Sequence, residues 1–309
     1  MQNATNIHDD SLYPFFAVVN ILSINENNQK NPIICGGSII NLNPPKIITA
    51  AHCLQGGVDP SRYIHSKKKI PHYVSYGHTN RNQQTKNNII DWVMHPNYTI
   101  SGEPKYDVAI LTLENPILRN RFVDRVPIWV SDRYKQFQGA LVGYGYQEVN
   151  GQSSTILQRL TFDVNNYNFK SDNMVEAVAT FEVDKRTACH GDSGGPLIVQ
   201  FPYDTSSSSY PQHHPLLKYY IIGPLTRIFN VKDPDPSHLT CPIRLNAQNN
   251  IVQSFAHLAP MLDWVAPLAN MSKEELITPD YQFDSNVMDA IGLLIIYVCL
   301  LFFFFWKKK

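Results

Sequence analysis

The sequence predicts an all-β chain, a barrel or a sandwich, on two observations. Short apolar runs recur along most of its length, and Gly, Pro and Asn punctuate the intervals between them. In the first half the runs are 15–22, 33–40, 46–50, 73–76, 89–94 and 108–113. A connection around 115–126 separates them from a second set at 140–143, 156–162, 174–181, 196–200, 219–225 and 251–255. Pro260 then opens a short helix, since proline suits a first helical turn. Met261, Leu262 and Val265 of that helix are expected to face the second strand set.

Composition narrows the class. A chain of 309 residues holds one large or two ordinary domains, and 43% apolar residues is typical of a globular protein. A net charge of zero argues against electrostatic nucleic-acid binding. The run Lys67-Lys68-Lys69 reads as a solvated loop rather than a specific anion site. Residues 201–215 are rich in Ser, Pro and His and include Ser206 to Ser209, which marks a long exposed loop. His213 and His214 could bind a metal, but a solvated loop is the simpler reading. The five cysteines show no zinc-type spacing. Sequons at Asn3, Asn97 and Asn270 are glycosylation candidates that agree with a secreted or luminal face.

At the far end, residues 290–306 are uncharged and apolar and are followed by Lys307-Lys308-Lys309. About 17 residues at roughly 1.5 Å each cover about 25 Å, the short end for a bilayer. No polar residues make a second face, so an amphipathic helix is rejected in favour of a transmembrane helix. The lysines mark 307–309 as a cytoplasmic tail, with 272–289 as a stalk and the globular part outside or in a lumen. A lipid-anchor signal would end in the hydrophobic run, and the lysines count against it.

Three stretches carry chemistry. The first is Thr187-Ala188-Cys189-His190-Gly191-Asp192-Ser193-Gly194-Gly195-Pro196-Leu197. A serine flanked by glycines also occurs in ordinary turns. Yet attack on a carbonyl needs an exposed hydroxyl and N–H groups aimed at the oxyanion, and glycine permits the sharp backbone this requires. The second is Ile47-Ile48-Thr49-Ala50-Ala51-His52-Cys53, where a lone histidine would otherwise be read as a core or edge residue. The third is Tyr106-Asp107-Val108-Ala109-Ile110-Leu111-Thr112-Leu113, an apolar strand in which a buried aspartate is costly unless paired. A serine that must lose a proton, a histidine to take it and a carboxylate to orient the histidine make a complete catalytic set.

In this order, these stretches resemble the chymotrypsin/trypsin family of serine proteases. The similarity runs from about Tyr13-Pro14 to about Trp264-Val265, through Cys35-Gly36-Gly37-Ser38, His95-Pro96-Asn97-Tyr98, Gly143-Tyr144-Gly145 and Leu262-Asp263-Trp264-Val265. The resemblance implies two packed antiparallel β-barrels, about 13–117 and 126–258 within a domain of 1–271, with the active site in the cleft between them. It implies endopeptidase activity by a triad of His52, Asp107 and Ser193, with an oxyanion hole at the N–H groups of Gly191 and Ser193. It pairs Cys35 with Cys53 and Cys189 with Cys241, and leaves Cys299 over. Its partners would be protein or peptide substrates and protein protease inhibitors, together with the membrane through the C-terminal helix. No cofactor and no metal are expected; His78, Thr79 and Asn80 replace the acidic residues of the calcium loop of some relatives.

Specificity and activation depart from the family pattern. Trypsin-like members carry an aspartate six residues before the serine; Thr187 stands there, so a preference for Arg or Lys is not expected. Thr226-Arg227-Ile228 replaces the Ser-Trp-Gly pocket wall, and Gln253 or Ser254 replaces a wall glycine. Thr187, Thr226 and Ile228 thus predict a pocket for small side chains or none. Met1-Gln2-Asn3-Ala4-Thr5 resembles an altered mature N-terminus, whose ammonium would pair with Asp192. No signal peptide opens the chain. Two readings stay open: missing upstream signal and activation segments, or a chain not activated in the usual way. A non-catalytic homologue acting as a binding or regulatory protein is the alternative function.

Overall fold

The computed structural model describes residues 1, 4–24, 30–60, 71–99, 105–131, 134–147, 152–165, 174–178, 187–202, 217–230 and 251–279. Thirteen strands are defined in them. The first, β1 (Thr5–Asn6), is an arm. Strands β2 (Phe16–Ile24), β3 (Lys30–Leu42), β4 (Pro45–Thr49), β5 (Tyr73–Tyr76), β6 (Thr85–Met94) and β7 (Ala109–Leu113) close a barrel in the order β2-β3-β4-β7-β6-β5. Strands β8 (Phe137–Gly143), β9 (Gln158–Val164), β10 (Val175–Val178), β11 (Pro196–Pro202), β12 (Leu217–Asn230) and β13 (Ile251–Phe255) follow in the order β9-β10-β13-β12-β11-β8. Pairing of β8 with β9 closes this second ring, and β1 adds to β9 through Thr5 opposite Arg159. Both rings are antiparallel throughout, so the all-β, two-barrel expectation holds.

Side-chain alternation explains the closure. On β9, Gln158, Leu160, Phe162 and Val164 are buried while Asp163 is exposed, the period of two that points every second residue inward. Leu160, Phe162 and Val164 meet Leu141, Leu197, Val199, Leu225 and Phe255 in the second barrel's core. Residues 196–199 of β11 read as an unbroken apolar run because both faces of this stretch are covered. Leu197 and Val199 fill the second barrel, whereas Ile198 joins the core that continues into the first.

After β13, a turn of 3-10 helix (Ala259–Met261) with Pro260 leads into α1 (Leu262–Ala269). Asn270 ends α1 in the left-handed region, with φ 56°. The sequence expectation places this helix against the second strand set. Its observed contacts are with the first barrel: it packs on β7, Trp264 lies 4.7 Å from the His95 ring, and the Ala269 carbonyl accepts from Asn41 Nδ2 at 2.9 Å. A second helix, α2 (Lys273–Ile277), occupies the start of the expected stalk. Its capping box is complete: Ser272 Oγ accepts from Glu275 N at 3.1 Å and Glu275 Oε2 accepts from Ser272 N at 2.7 Å. Leu276 is fully buried, so the compact unit runs to Thr278 rather than ending before Ser272.

Among the described residues no helix is long and apolar enough to cross a membrane. The expected transmembrane helix at 290–306, the lysine tail, the loop carrying His213 and His214, and Lys67 to Lys69 lie outside the described residues.

Candidate active site

Strand β4 delivers the chain directly into a 3-10 turn, Ala51–Leu54, which carries His52. Cys53 in that turn is bonded to Cys35 on β3, as the resemblance implied. Asp107 sits just before β7, beside β4 in the ladder, and is almost fully buried. Its two oxygens take different parts of the same residue. Oδ1 accepts the His52 backbone N–H at 2.8 Å, and Oδ2 lies 2.7 Å from His52 Nδ1. An ionised carboxylate only accepts, so Nδ1 carries the hydrogen and Nε2 presents a lone pair. In that tautomer the 3.9 Å approach of Nε2 to Cys53 Sγ is plain contact, because neither atom has a hydrogen to give. Tyr98 stands close enough for its phenol to feel Asp107. Burial, and then the Asp107 charge, push its pKa up to about 12, and Gln55 Nε2 donates to its hydroxyl.

The Ser193 loop docks onto the histidine barrel by backbone contact. The Ser193 carbonyl accepts from Gly36 N at 2.7 Å, and Thr49 Oγ1 donates to the Gly36 carbonyl at 2.7 Å. Gly194 has φ 75°, and a Cβ there would collide with Thr49 Oγ1 and the Gly36 carbonyl. Gly36 is equally constrained: its Cβ would lie 2.6 Å from Gly195 Cα. These glycines bring the serine loop, at Gly194, beside Thr49 and Ala50, the residues leading into the His52 turn. Gly191 has φ 91°. The N–H of Asp192 bonds Cys189 O, that of Gly194 bonds Leu225 O and that of Gly195 bonds Asp192 O. No described residue accepts the N–H of Gly191 or Ser193.

The Asp192 side chain occupies a fully buried seat. Oδ1 accepts Gly145 N at 2.8 Å, and Oδ2 accepts Cys189 N at 2.9 Å. The Met1 ammonium lies 3.1 Å from Oδ2 and donates to the Tyr146 carbonyl at 2.8 Å. Gly143 and Gly145 clear the space, since a Cβ on either would run into the Asp192 carboxylate. The sequence shows both glycines but not what they make room for.

The other singled-out residues fall as follows. Thr187 is fully buried, and Gln253 Nε2 donates to its Oγ1 at 3.3 Å. Thr226 is buried and its hydroxyl donates to the Ser254 carbonyl at 3.0 Å. Ile228 is half-buried, opposite Gln253 in the β12–β13 ladder. Cys189 is disulfide-bonded, while Cys241 and Cys299 lie outside the described residues. Asn97 and Asn270 are exposed, and Asn3 is outside the described residues. Cys35, His52 and Cys53 cluster as three metal-ligand residue types, but both sulfurs are spent in the disulfide. Asp10 accepts from Thr79 N and Oγ1, both at 2.7 Å.

Two closed antiparallel barrels, with an aspartate-bound histidine on one and a glycine-rich serine loop from the other against it, define a class of two-barrel proteins. Residues 14–210 match the family model described as Trypsin, well over half the chain, and the protein belongs to the trypsin family. It is similar to the venom peptide isomerase heavy chain of Agelenopsis aperta, 26% identical over 192 residues, 58% of this chain and 76% of that one. Coagulation factor IX of Cavia porcellus is 28% identical over 187 residues, 56% of this chain and 61% of its own length. Serine protease 7 of Drosophila melanogaster is 26% identical over 209 residues, 62% of this chain. The chain spans only 53% of that last relative.

Proposed function

We propose that this chain is a serine endopeptidase that hydrolyses peptide bonds in proteins. The observation that carries the reading is His52, held by Asp107 at both its backbone and its ring, beside the Ser193 loop. In this reading Ser193 Oγ attacks the peptide carbonyl, and His52 Nε2 takes the proton and returns it to the leaving amine. Asp107 fixes the imidazole and stabilises its charged form. The N–H groups of Gly191 and Ser193 receive the oxyanion. A positioned base is worth about 10²–10⁴-fold in rate, and one oxyanion donor about 10²–10³-fold. Thr187 offers no carboxylate to a basic side chain, which supports cleavage that is not directed to Arg or Lys. A bridge from Cys189 to Cys241, glycans on Asn97 and Asn270, and a membrane anchor at 290–306 belong to the same proposal.

The test is covalent labelling of native, membrane-extracted protein with a fluorophosphonate probe, beside a Ser193→Ala form. We expect labelling of the wild type and none of the variant, with N-terminal sequencing of the labelled species locating the start of the mature chain. Folded protein that takes up no probe, or a variant that labels equally, overturns the reading.

A further inference from the structure

His95 follows β6 directly and is buried. It grips the chain on both sides of Asp107. Its backbone N–H donates to the Val108 carbonyl at 2.9 Å, and its ring stacks on Tyr106 with centroids 4.6 Å apart and planes 12° apart. Between these grips the Val108 N–H donates to the Tyr106 carbonyl at 2.7 Å, a three-residue turn with Asp107 at its apex. Trp264 of α1 also packs on the His95 ring, 4.7 Å away.

This grip needs a neutral imidazole. Nδ1 accepts the Asn97 N–H at 3.2 Å, so Nε2 carries the ring's hydrogen. Turning the ring over would set a C–H against the Asn97 N–H in place of that acceptor. The Tyr98 N–H closes the same turn on the His95 carbonyl at 2.9 Å. Tyr98 in turn lies near Asp107 and takes a hydrogen bond from Gln55 at the end of the His52 turn. One ring thus braces the Asp107 turn directly and through Tyr98.

We propose that His95 is a positioning residue for the reaction: its neutral ring holds the turn that carries Asp107, and its protonation releases that turn and shuts off peptidase activity in acid. The inference rests on the peptidase reading above and adds a regulation of that site. A proton on Nδ1 sets two donors face to face and places a charge in a seat that excludes water. The Tyr106 face attracts a cation but offers no acceptor for the new N–H. The titratable side chains on the elements packed against the ring are Lys105, Tyr106 and Asp107 on the approach to β7 and Asp263 on α1, with Tyr98 in its own turn. Asp107 is engaged twice by His52, and Asp263 is ion-paired with Lys273. Burial alone acts on His95 and pushes its pKa below the ordinary 6.5. A protonated ring therefore has to leave the stack to reach water.

The experiment follows kcat/KM for one peptide from pH 8 downwards, over the range in which near-UV circular dichroism shows the protein folded. His52 must be neutral to accept the serine proton, so its own protonation costs about tenfold per pH unit, and two groups that must both be neutral cost about a hundredfold. We expect the wild-type limb to steepen from about tenfold to about a hundredfold per unit at its acid end. His95→Asn keeps an oxygen acceptor for the Asn97 N–H but takes up no proton, so its limb should stay at about tenfold. A wild-type limb of about tenfold throughout, or a hundredfold limb that persists in His95→Asn, overturns the proposal. Backbone NMR of the wild type gives a readout that does not depend on the variant folding. The Asn97 amide should lose its exchange protection over the range in which the limb steepens, and an amide still protected there overturns the proposal. Native protein that neither cleaves peptide nor takes up fluorophosphonate overturns the peptidase reading instead, and the Asn97 amide then decides alone whether neutral His95 holds the turn.

Discussion

Buried polar side chains fall into three kinds here. Asp107 and Asp192 are paired with partners that the sequence motifs announce, so both are legible from the residue pattern alone. Gln253 is not: its neighbours come from a strand register and from a loop more than sixty residues away, and single-sequence patterns carry neither. His72 is the third kind, a core histidine that no motif marks. It has no exposed surface; its Nδ1 accepts the Leu22 N–H at 3.0 Å and its Nε2 donates to the Val58 carbonyl at 2.8 Å. Burial pushes its pKa below the ordinary 6.5, opposed by the Val58 hydrogen bond. Burial acts in the same direction on His95. The folded pKa lies below the unfolded one, so the unfolded chain binds a proton that the native state refuses, and stability falls as pH drops below about 6.5. Thermal unfolding from pH 8 to pH 5 should show a falling Tm on the acid side. His72→Gln should flatten that limb even if it lowers Tm at pH 8. An unchanged acid slope in the variant would remove His72 as a cause.

Among the elements, strands are more readable than helices because alternation and turn residues are local. Strands β5 and β13 fall where the sequence places them, and β2, β4 and β11 within two residues. The two-residue β1 has too little sequence to carry a period. Helix α2 goes unread although Ser272 and Glu275 hold the spacing of a capping box; five residues leave no room for a hydrophobic repeat. The docking of α1 on the first barrel is equally hidden because an amphipathic face does not name its partner. What secures α2 is the burial of Leu276, whose carbonyl accepts the Ile128 N–H at 2.8 Å, and two bonds from Arg125 to the carbonyls of Glu275 and Thr278. Leu276→Ala should cost about 2–5 kcal/mol, the usual range for emptying a fully buried leucine site. Urea unfolding would measure it. A loss below about 1 kcal/mol would mean that α2 is not integral to the domain.

At the scale of the molecule, the first barrel's core continues beyond that barrel, while the second barrel's interior forms a cluster of its own. Apolar packing runs from the first barrel past Ile128 and Ile221 to Leu258 and Met261, and covers the outer face of β11. That continuity holds the serine loop against β3 and β4, and it depends on long-range contacts that the sequence only suggests through its two strand sets. The Cys35–Cys53 bridge acts locally on this frame, closing a loop with a sequence separation of 18 residues that contains β4 and the His52 turn. A loop of that size is worth about 3 kcal/mol. Cys35→Ala with Cys53→Ala should lose about that much in chemical unfolding and slow probe labelling of Ser193. An unchanged labelling rate would show that β4 alone positions His52. The division of labour between the barrels has a further meaning. In the proposed mechanism the proton acceptor is built on one barrel and the nucleophile on the other, so neither half would be competent by itself. The connection at 115–126 is a natural place to separate them, and two fragments cut there would behave as a logical conjunction, with chemistry reporting their reunion.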